Sequence, residues 1–433
     1  MTKTESSPLF TVIIPTKDRA EYLHHTLRTC LNQDYENLEV IVSDDGSLDN
    51  TKEVVLEASR KDARIRYITP GSVGMRDNFE FALDHVKPGY VIALGGDDGI
   101  LPHGISQMWR ALQETGMELL TWQPQTFLYP ALRSGRGQLN LHRPGNSRIL
   151  RSSDYLARQA SDLHYNSDVE TPMFYIKGVV ATTLVERVRS RTADGRFYVC
   201  PTPDGFSGIV LAGEVEQYAF SGMPFTIVGS SPTCQGLAYM SGGDESKKIS
   251  ESFFSAVSHV PMHRDLASQP YSPLVSVMTA DYLLTAKDLP GWPGHVPVID
   301  YKSLLVKGLN ELANALYAPN RLNRELGILL KIAQHHGLEI FFRQKVKEMK
   351  RRRSRTPFVG NGITPSQVVV DSDMLQIYDI FDAAYFSYSV CQFLTKINFG
   401  TVTKAIADSL KYGIRQRQKG EEFPPESEWT LEA

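Results

Sequence analysis

The sequence predicts an α/β domain on a mainly parallel sheet, followed by a mainly helical region. Between Phe10 and Leu94, short β-branched runs alternate four times with apolar residues at helical spacing. That alternation is the pattern of parallel strands joined by crossover helices. After about Gly242 the apolar spacing is helical, with Leu305, Leu309, Leu312 and Leu316 in one stripe. The two parts are taken as residues 1–242 and 243–433.

Phe10 to Ile14 is a strand that ends at Pro15, and Leu23, Leu27, Cys30 and Leu31 place a helix from about Arg19. Leu38 to Val42 is a second strand, stopped by Ser43, Asp44, Asp45 and Gly46. Asp49 is a suitable N-cap for a helix carrying Val54, Val55 and Ala58. Ile65 to Ile68 reads as a third strand, and Phe79, Ala82, Leu83 and Val86 as a third helix. Tyr90 to Leu94 is a fourth strand, closed by Gly95, Gly96, Asp97, Asp98 and Gly99. The pattern loosens after Tyr129. Residues 133–153, rich in Arg, Gly, Ser and Asn, read as a mobile loop, and regular elements resume near Thr171.

Composition bounds the function. With 433 residues and 42% apolar content, two or three domains can each bury a core. A net charge of −3 gives no reason to expect a nucleic-acid partner. Apolar runs are too short to span a bilayer, and Met1 to Pro8 has no secretory character, so a cytoplasmic location is expected. Cys30, Cys200, Cys234 and Cys391 fit no metal or disulfide spacing.

In parallel sheets, ligands bind at the carboxyl ends of the strands. Thr16, Asp44, Asp45, Asp97 and Asp98 fall there. A single Asp-Gly pair usually marks a turn. Two acidic pairs on strand ends repel one another, and Mg²⁺ or Mn²⁺ bridging to phosphates would relieve the repulsion.

Phe10 to Arg19, Val40 to Thr51 and Leu94 to Gly99, in that order, resemble family 2 of the glycosyltransferases. The resemblance covers about residues 8–240 and implies the GT-A fold. It also implies metal-dependent, inverting transfer from a nucleotide-sugar donor, a UDP-sugar first. Pro15, Thr16 and Arg19 would then wall the base, and Asp45, beside Asp44, would bond it. Arg76 would face the diphosphate. Asp98 would hold Mn²⁺ or Mg²⁺, and Asp97 the donor's ribose or sugar or the metal. Gly96 stands where the family usually has another carboxylate. Asp204 matches the family's general base, although Pro203, Asp204 and Gly205 also form a good turn sequence. Glu214 and Glu216 are the fallback bases.

The family implies a saccharide or lipid-linked acceptor and a part in surface polysaccharide or glycoconjugate synthesis. The alternatives are an inactive nucleotide-sugar-binding protein of the same fold, or a nucleotidyltransferase, whose Gly-rich phosphate loop is absent after the first strand. The basic run from Arg343 to Arg355 reads as a solvated face and is a candidate for peripheral contact with an anionic membrane. His142 and His164 read as surface residues. The stripe Tyr378, Phe381, Tyr385 and Tyr388 reads as helix core.

Overall fold

Strand β1 (Phe10–Thr16) is buried along its whole length, because helices cover both faces of a central parallel strand. The structure, a computed structural model, describes residues 7–130, 137–232, 234, 244–314, 319–349, 360–364 and 366–396. Helix α1 (Ala20–Leu31) follows, then β2 (Leu38–Asp44), α2 (Thr51–Lys61), β3 (Ile65–Ile68), α3 (Met75–Leu83) and β4 (Tyr90–Ala93). Strands β3, β2, β1 and β4 pair in parallel in that spatial order. Thr16 lies opposite Asp44 in the register. Asp49 supports two helix starts rather than one. Its Oδ1 accepts the Thr51 amide at 3.0 Å and its Oδ2 the Ala20 amide at 3.0 Å, so one carboxylate satisfies orphan amides of both α1 and α2.

The chain continues through β5 (Gly99–Ile100), α4 (Gly104–Thr115), β6 (Leu119–Trp122), β7 (Gln125–Leu128), β8 (Gln138–His142), β9 (Arg148–Arg151) and α5 (Ser152–Asp162). It then forms β10 (Gly178–Ala181), α6 (Thr182–Arg189), α7 (Asp204–Gly213), β11 (Gln217–Ser221) and β12 (Thr226–Ser230). The first sheet runs β3-β2-β1-β4-β10-β6-β11-β9. It is mixed: β10 is antiparallel to both neighbours and β9 to β11. The loop expected over 133–153 instead contains β8 and β9. Leu139 and Leu141 alternate inward along β8, a period-two signal too short to stand out among the polar residues around it.

The helical part comprises α8 (Asp244–Ala256), α9 (Val275–Lys287), α10 (Tyr301–Asn314), α11 (Pro319–His335) and α12 (Glu339–Glu348). Strands β13 (Gly362–Ile363) and β14 (Gln367–Asp371) and helix α13 (Ile380–Lys396) complete the described chain. Helix α9 is buried on nearly all sides, as a helix apolar all round should be. Its Tyr282 and Leu283 share one core with Phe206 and Val210 of α7. Strand β14 pairs with β8 in the second sheet, β13-β14-β8-β7-β12-β5. Residues after 243 therefore add a strand pair and core side chains to the part before 242. The stripe Tyr378, Phe381, Tyr385 and Tyr388 is not core: Tyr378 is 57% and Tyr385 42% exposed and the other two are half-buried, because α13 turns Ile380 and Ala384 inward instead. Phe381 lies under the Arg28 guanidinium of α1 at 3.9 Å.

Candidate active site

The ends of β1 and β2 meet the start of α3. The Asp45 amide donates to the Thr16 carbonyl at 2.9 Å, which continues the β1–β2 ladder one step beyond the strands. Asp45 Oδ1 accepts the amides of Val73 at 2.7 Å and Gly74 at 2.9 Å, just before α3. Its Oδ2 faces Lys17 Nζ at 3.4 Å. Asp45 therefore fixes the loop over the strand ends and keeps its second oxygen toward Lys17. Asp44 is spent on local structure. Its Oδ1 accepts from the Ser47 amide and hydroxyl at 2.9 and 2.6 Å, and its Oδ2 from Tyr67 at 2.8 Å. Burial, then this bond, pushes the Tyr67 hydroxyl up to about 12. The Thr16 hydroxyl is buried without a hydrogen-bond partner.

The two aspartates after β4 differ. Asp98 is 1% exposed. Its Oδ2 accepts the Gly95 amide at 2.7 Å and its Oδ1 the Gly229 amide at 2.9 Å, and Tyr175 bonds to it as well. Burial first and Asp97 second push Asp98 up to about 7. Asp97 is 8% exposed. Its Oδ2 accepts from the Ser231 hydroxyl at 2.6 Å and stands 3.6 Å from the Arg19 guanidinium. Arg19, expected at the base wall, thus reaches across to the fourth strand and bonds Ser231 at 2.7 Å. Gly229 allows this assembly: a Cβ there would lie 1.7 Å from the Asp97 carbonyl oxygen.

Among the described residues, no three His, Cys, Asp or Glu side chains converge as a preformed metal cage. Mg²⁺ and Mn²⁺ do not need one, because one or two carboxylates with waters and substrate phosphates suffice. Asp97 fits that role, being held by a hydroxyl and already opposite a positive charge. Asp98 stands behind it, with both oxygens already accepting amides.

Arg76 lies in the first turn of α3. Its Nε donates to Asp77 at 2.9 Å and its guanidinium meets His259 at 3.2 Å. Arg196 also bonds Asp77, so this edge carries two guanidiniums against one carboxylate. Glu80 of α3 accepts the amides of Phe197 and Tyr198 at 3.0 and 2.8 Å and pairs with Arg189 at 2.6 Å. That contact anchors the segment leading to Asp204.

Pro203, Asp204 and Gly205 open α7 rather than forming an isolated turn. Asp204 Oδ2 accepts from the Tyr165 hydroxyl at 3.2 Å, while Oδ1 is buried without a hydrogen-bond partner. Burial raises the carboxyl above its ordinary range, against the opposing pull of helix amides and of Tyr165 and Thr202. Glu214 caps the other end of α7, about 15 Å along at 1.5 Å per residue, and is locked to Arg191 at 2.6 Å. Glu216 lies beyond it, before β11.

Tyr175 is buried beside Asp98, and its ionisation is opposed by burial and then by the charges of Asp98 and Asp97. Tyr165, Tyr175 and Ser231 lie in none of the stretches that carry the family resemblance, and Lys17 lies inside the Phe10 to Arg19 stretch at a position given no role. His142 and His164 sit apart from the carboxylates, His164 bonding Ser167 at 2.6 Å. Lys350 to Arg355 lie outside the described residues, whereas Arg343 and Lys345 pair with Glu339 and Glu348.

A mainly parallel sheet with acidic strand ends, packed between helices, defines the class as an α/β protein. Residues 11–159 match the model of glycosyl transferase family 2, so the N-terminal part of the chain carries that family's pattern. The match ends within α5, before Asp204.

The GalNAc(5)-diNAcBac-PP-undecaprenol beta-1,3-glucosyltransferase of Campylobacter jejuni is 35% identical over 109 residues, 25% of this chain and 35% of the relative. The aligned segment thus spans about a third of that relative's length. Among solved structures, Staphylococcus aureus TarS residues 1–349 with UDP-GlcNAc aligns at a TM-score of 0.43 and 14% identity, over 81% of this chain and 99% of that one. The mannosyltransferase PcManGT from Pyrobaculum calidifontis, with GDP-Man and Mn²⁺, aligns at 0.38 and 15% identity, over 78% and 88%.

Proposed function

We propose that this chain is a glycosyltransferase that moves a sugar, with inversion, from a nucleoside diphosphate donor to a hydroxyl acceptor. The observation that carries the reading is the buried pair after β4: Asp98 accepts the Gly95 and Gly229 amides, and Asp97 beside it accepts from Ser231 and faces the Arg19 guanidinium at 3.6 Å. An acidic pair held against a positive charge at a strand end suits a cation and a diphosphate. The family match of the N-terminal part supports it.

Asp45 and Lys17 receive the base. A carboxylate oxygen accepts an imide N–H, which uracil and guanine both offer, so UDP- and GDP-sugars are the donors to try, UDP first. The Thr16 hydroxyl is available to the nucleotide. Arg76, at the start of α3, faces the diphosphate, where a helix N-terminus favours negative charge. Asp97, backed by Asp98, holds Mn²⁺ or Mg²⁺. When bound, the cation stabilises charge on the departing phosphate.

Asp204 acts on the opposite side of the sugar. Its Oδ1 takes the acceptor's hydroxyl proton as the acceptor oxygen bonds the anomeric carbon and the bond to the diphosphate breaks. A raised carboxyl pKa suits a base working near neutral pH. The Campylobacter relative's name gives it a diphosphate-linked lipid acceptor. An acceptor of that class, in cytoplasmic surface-glycan assembly, is our proposal here. Among the described residues no helix is long and apolar enough to cross a membrane, so such an acceptor would be met at the membrane surface.

The test is release of UDP or GDP from a panel of UDP- and GDP-sugars with Mn²⁺, with and without saccharide and polyprenyl-diphosphate-saccharide acceptors. Acceptor-stimulated release from one donor supports the reading. Tight nucleotide-sugar binding with no release from any donor favours the inactive-binder alternative.

A further inference from the structure

The helical region reaches the base through tyrosines. Tyr165, in the loop after α5, donates to Asp204 Oδ2 at 3.2 Å. Tyr282 of α9 packs its ring against Tyr165 with centroids 5.5 Å apart, and its hydroxyl bonds Thr202. The Thr202 hydroxyl in turn lies beside the Asp204 carboxyl and favours its charged form. Both rings press on the backbone of the next residue: a Cβ on Gly205 would lie 2.5 Å from Tyr282 and 2.7 Å from Tyr165. Asp204 Oδ1 alone is left buried and without a hydrogen-bond partner. The titratable groups that feel Asp204 are the hydroxyls of Tyr165, Tyr175, Tyr198 and Tyr282.

We infer that Tyr165 and Tyr282 are positioning residues that hold Asp204 with Oδ1 as its single proton-accepting oxygen, so that the helical region completes the catalytic centre. The inference rests on Asp204 being the base. Tyr165 occupies Oδ2. Tyr282 and Thr202 share a hydrogen bond in which either hydroxyl can donate; with Tyr282 as the donor, the Thr202 proton is left for the carboxylate. A fixed acceptor oxygen matters because proton transfer needs hydrogen-bond reach in the transition state, and a carboxylate free to rotate loses that alignment. Tyr198, also buried, has a hydroxyl with no hydrogen-bond partner, so contact with this cluster does not by itself produce a bonded tyrosine.

The experiment uses the full chain with ¹³C-carboxyl aspartate. Asp204→Asn identifies the Asp204 resonance, whose pH midpoint is then followed in wild type, Tyr165→Phe and Tyr282→Phe. Thermal melts check that each variant folds, and removing one hydroxyl keeps both rings. Each substitution removes a donor, direct or relayed, from the charged carboxyl, so both midpoints should move up, Tyr165→Phe more than Tyr282→Phe. With the donor found in the release assay, Tyr165→Phe should lower kcat about tenfold, the scale of one hydrogen bond to a charged group, with donor KM unchanged. An unmoved midpoint in Tyr165→Phe overturns the inference, and an unmoved midpoint in Tyr282→Phe overturns the helical region's part. If Asp204→Asn transfers normally while the midpoints move, the base assignment fails and the positioning contacts stand.

Discussion

Ser231 donates its hydroxyl to Asp97 across 2.6 Å, tying the end of β12 to the turn after β4. Arg19, from the start of α1, completes the contact with both. Asp97 is thereby held in place by a side chain that does not neutralise it, and it faces a positive charge that a cation can replace.

The two aspartates should then respond differently. Asp97→Asn should abolish the strengthening of UDP or GDP binding by Mn²⁺ and leave the fold intact. Asp98→Ala leaves the Gly95 and Gly229 amides without their acceptor and should cost roughly 1–3 kcal/mol of stability. Calorimetry with Mn²⁺ or chelator, and urea unfolding of both variants, measures each effect. Equal nucleotide affinity in Mn²⁺ and in chelator for wild type contradicts the metal role.

Asp45 has separable duties. Asp45→Asn keeps an oxygen for the Val73 and Gly74 amides but removes the charge beside Lys17. Nucleotide affinity should fall about tenfold, the scale of one charge-assisted bond, with little change in Tm. Asp45→Ala should lower both.

Much of this site is legible in the sequence. Thr16, Asp45 and Asp97 follow β-branched runs, and strand periodicity alone puts them at one edge of the sheet. The division of labour is not legible. Asp44 and Asp45 are neighbours in sequence, yet one is consumed by Ser47 and Tyr67 and the other by the start of α3 and Lys17. Tyr282 lies 78 positions beyond Asp204 on a helix with no motif, and only packing brings them together. Strands β8 and β9 are not legible, because four or five residues are too few for periodicity to outweigh polar surroundings.

Gly205→Ala tests the packing around the base. Alanine favours a helix, but its Cβ would strike the Tyr165 and Tyr282 rings. Overpacking of this kind costs typically about 1–3 kcal/mol, which a thermal melt would register. A variant as stable as wild type would mean the rings yield freely.

Stability should also depend on Asp281, which is buried in α9 and accepts the His263 amide at 2.6 Å. Burial pushes its carboxyl up to about 6, against about 3.9 in an unfolded chain. The folded chain holds a proton that the unfolded chain has lost between about pH 4 and 6, so stability falls as pH rises through that window. Asp281→Asn keeps the acceptor without the charge. It should be more stable than wild type at pH 7.5, by on the order of 2–3 kcal/mol, and the gap should close toward pH 4. Urea unfolding at both pH values reads this directly.

The most direct test of the account compares Asp204→Asn with wild type on the donor that the release assay identifies, measuring donor affinity and acceptor-stimulated nucleotide release together. Asn preserves the shape at the start of α7 and removes the proton acceptor. Donor affinity should be unchanged while transfer falls roughly 10²-fold or more, the usual scale for losing a general base. Transfer near the wild-type rate with donor binding intact would contradict the assignment of Asp204 as the base.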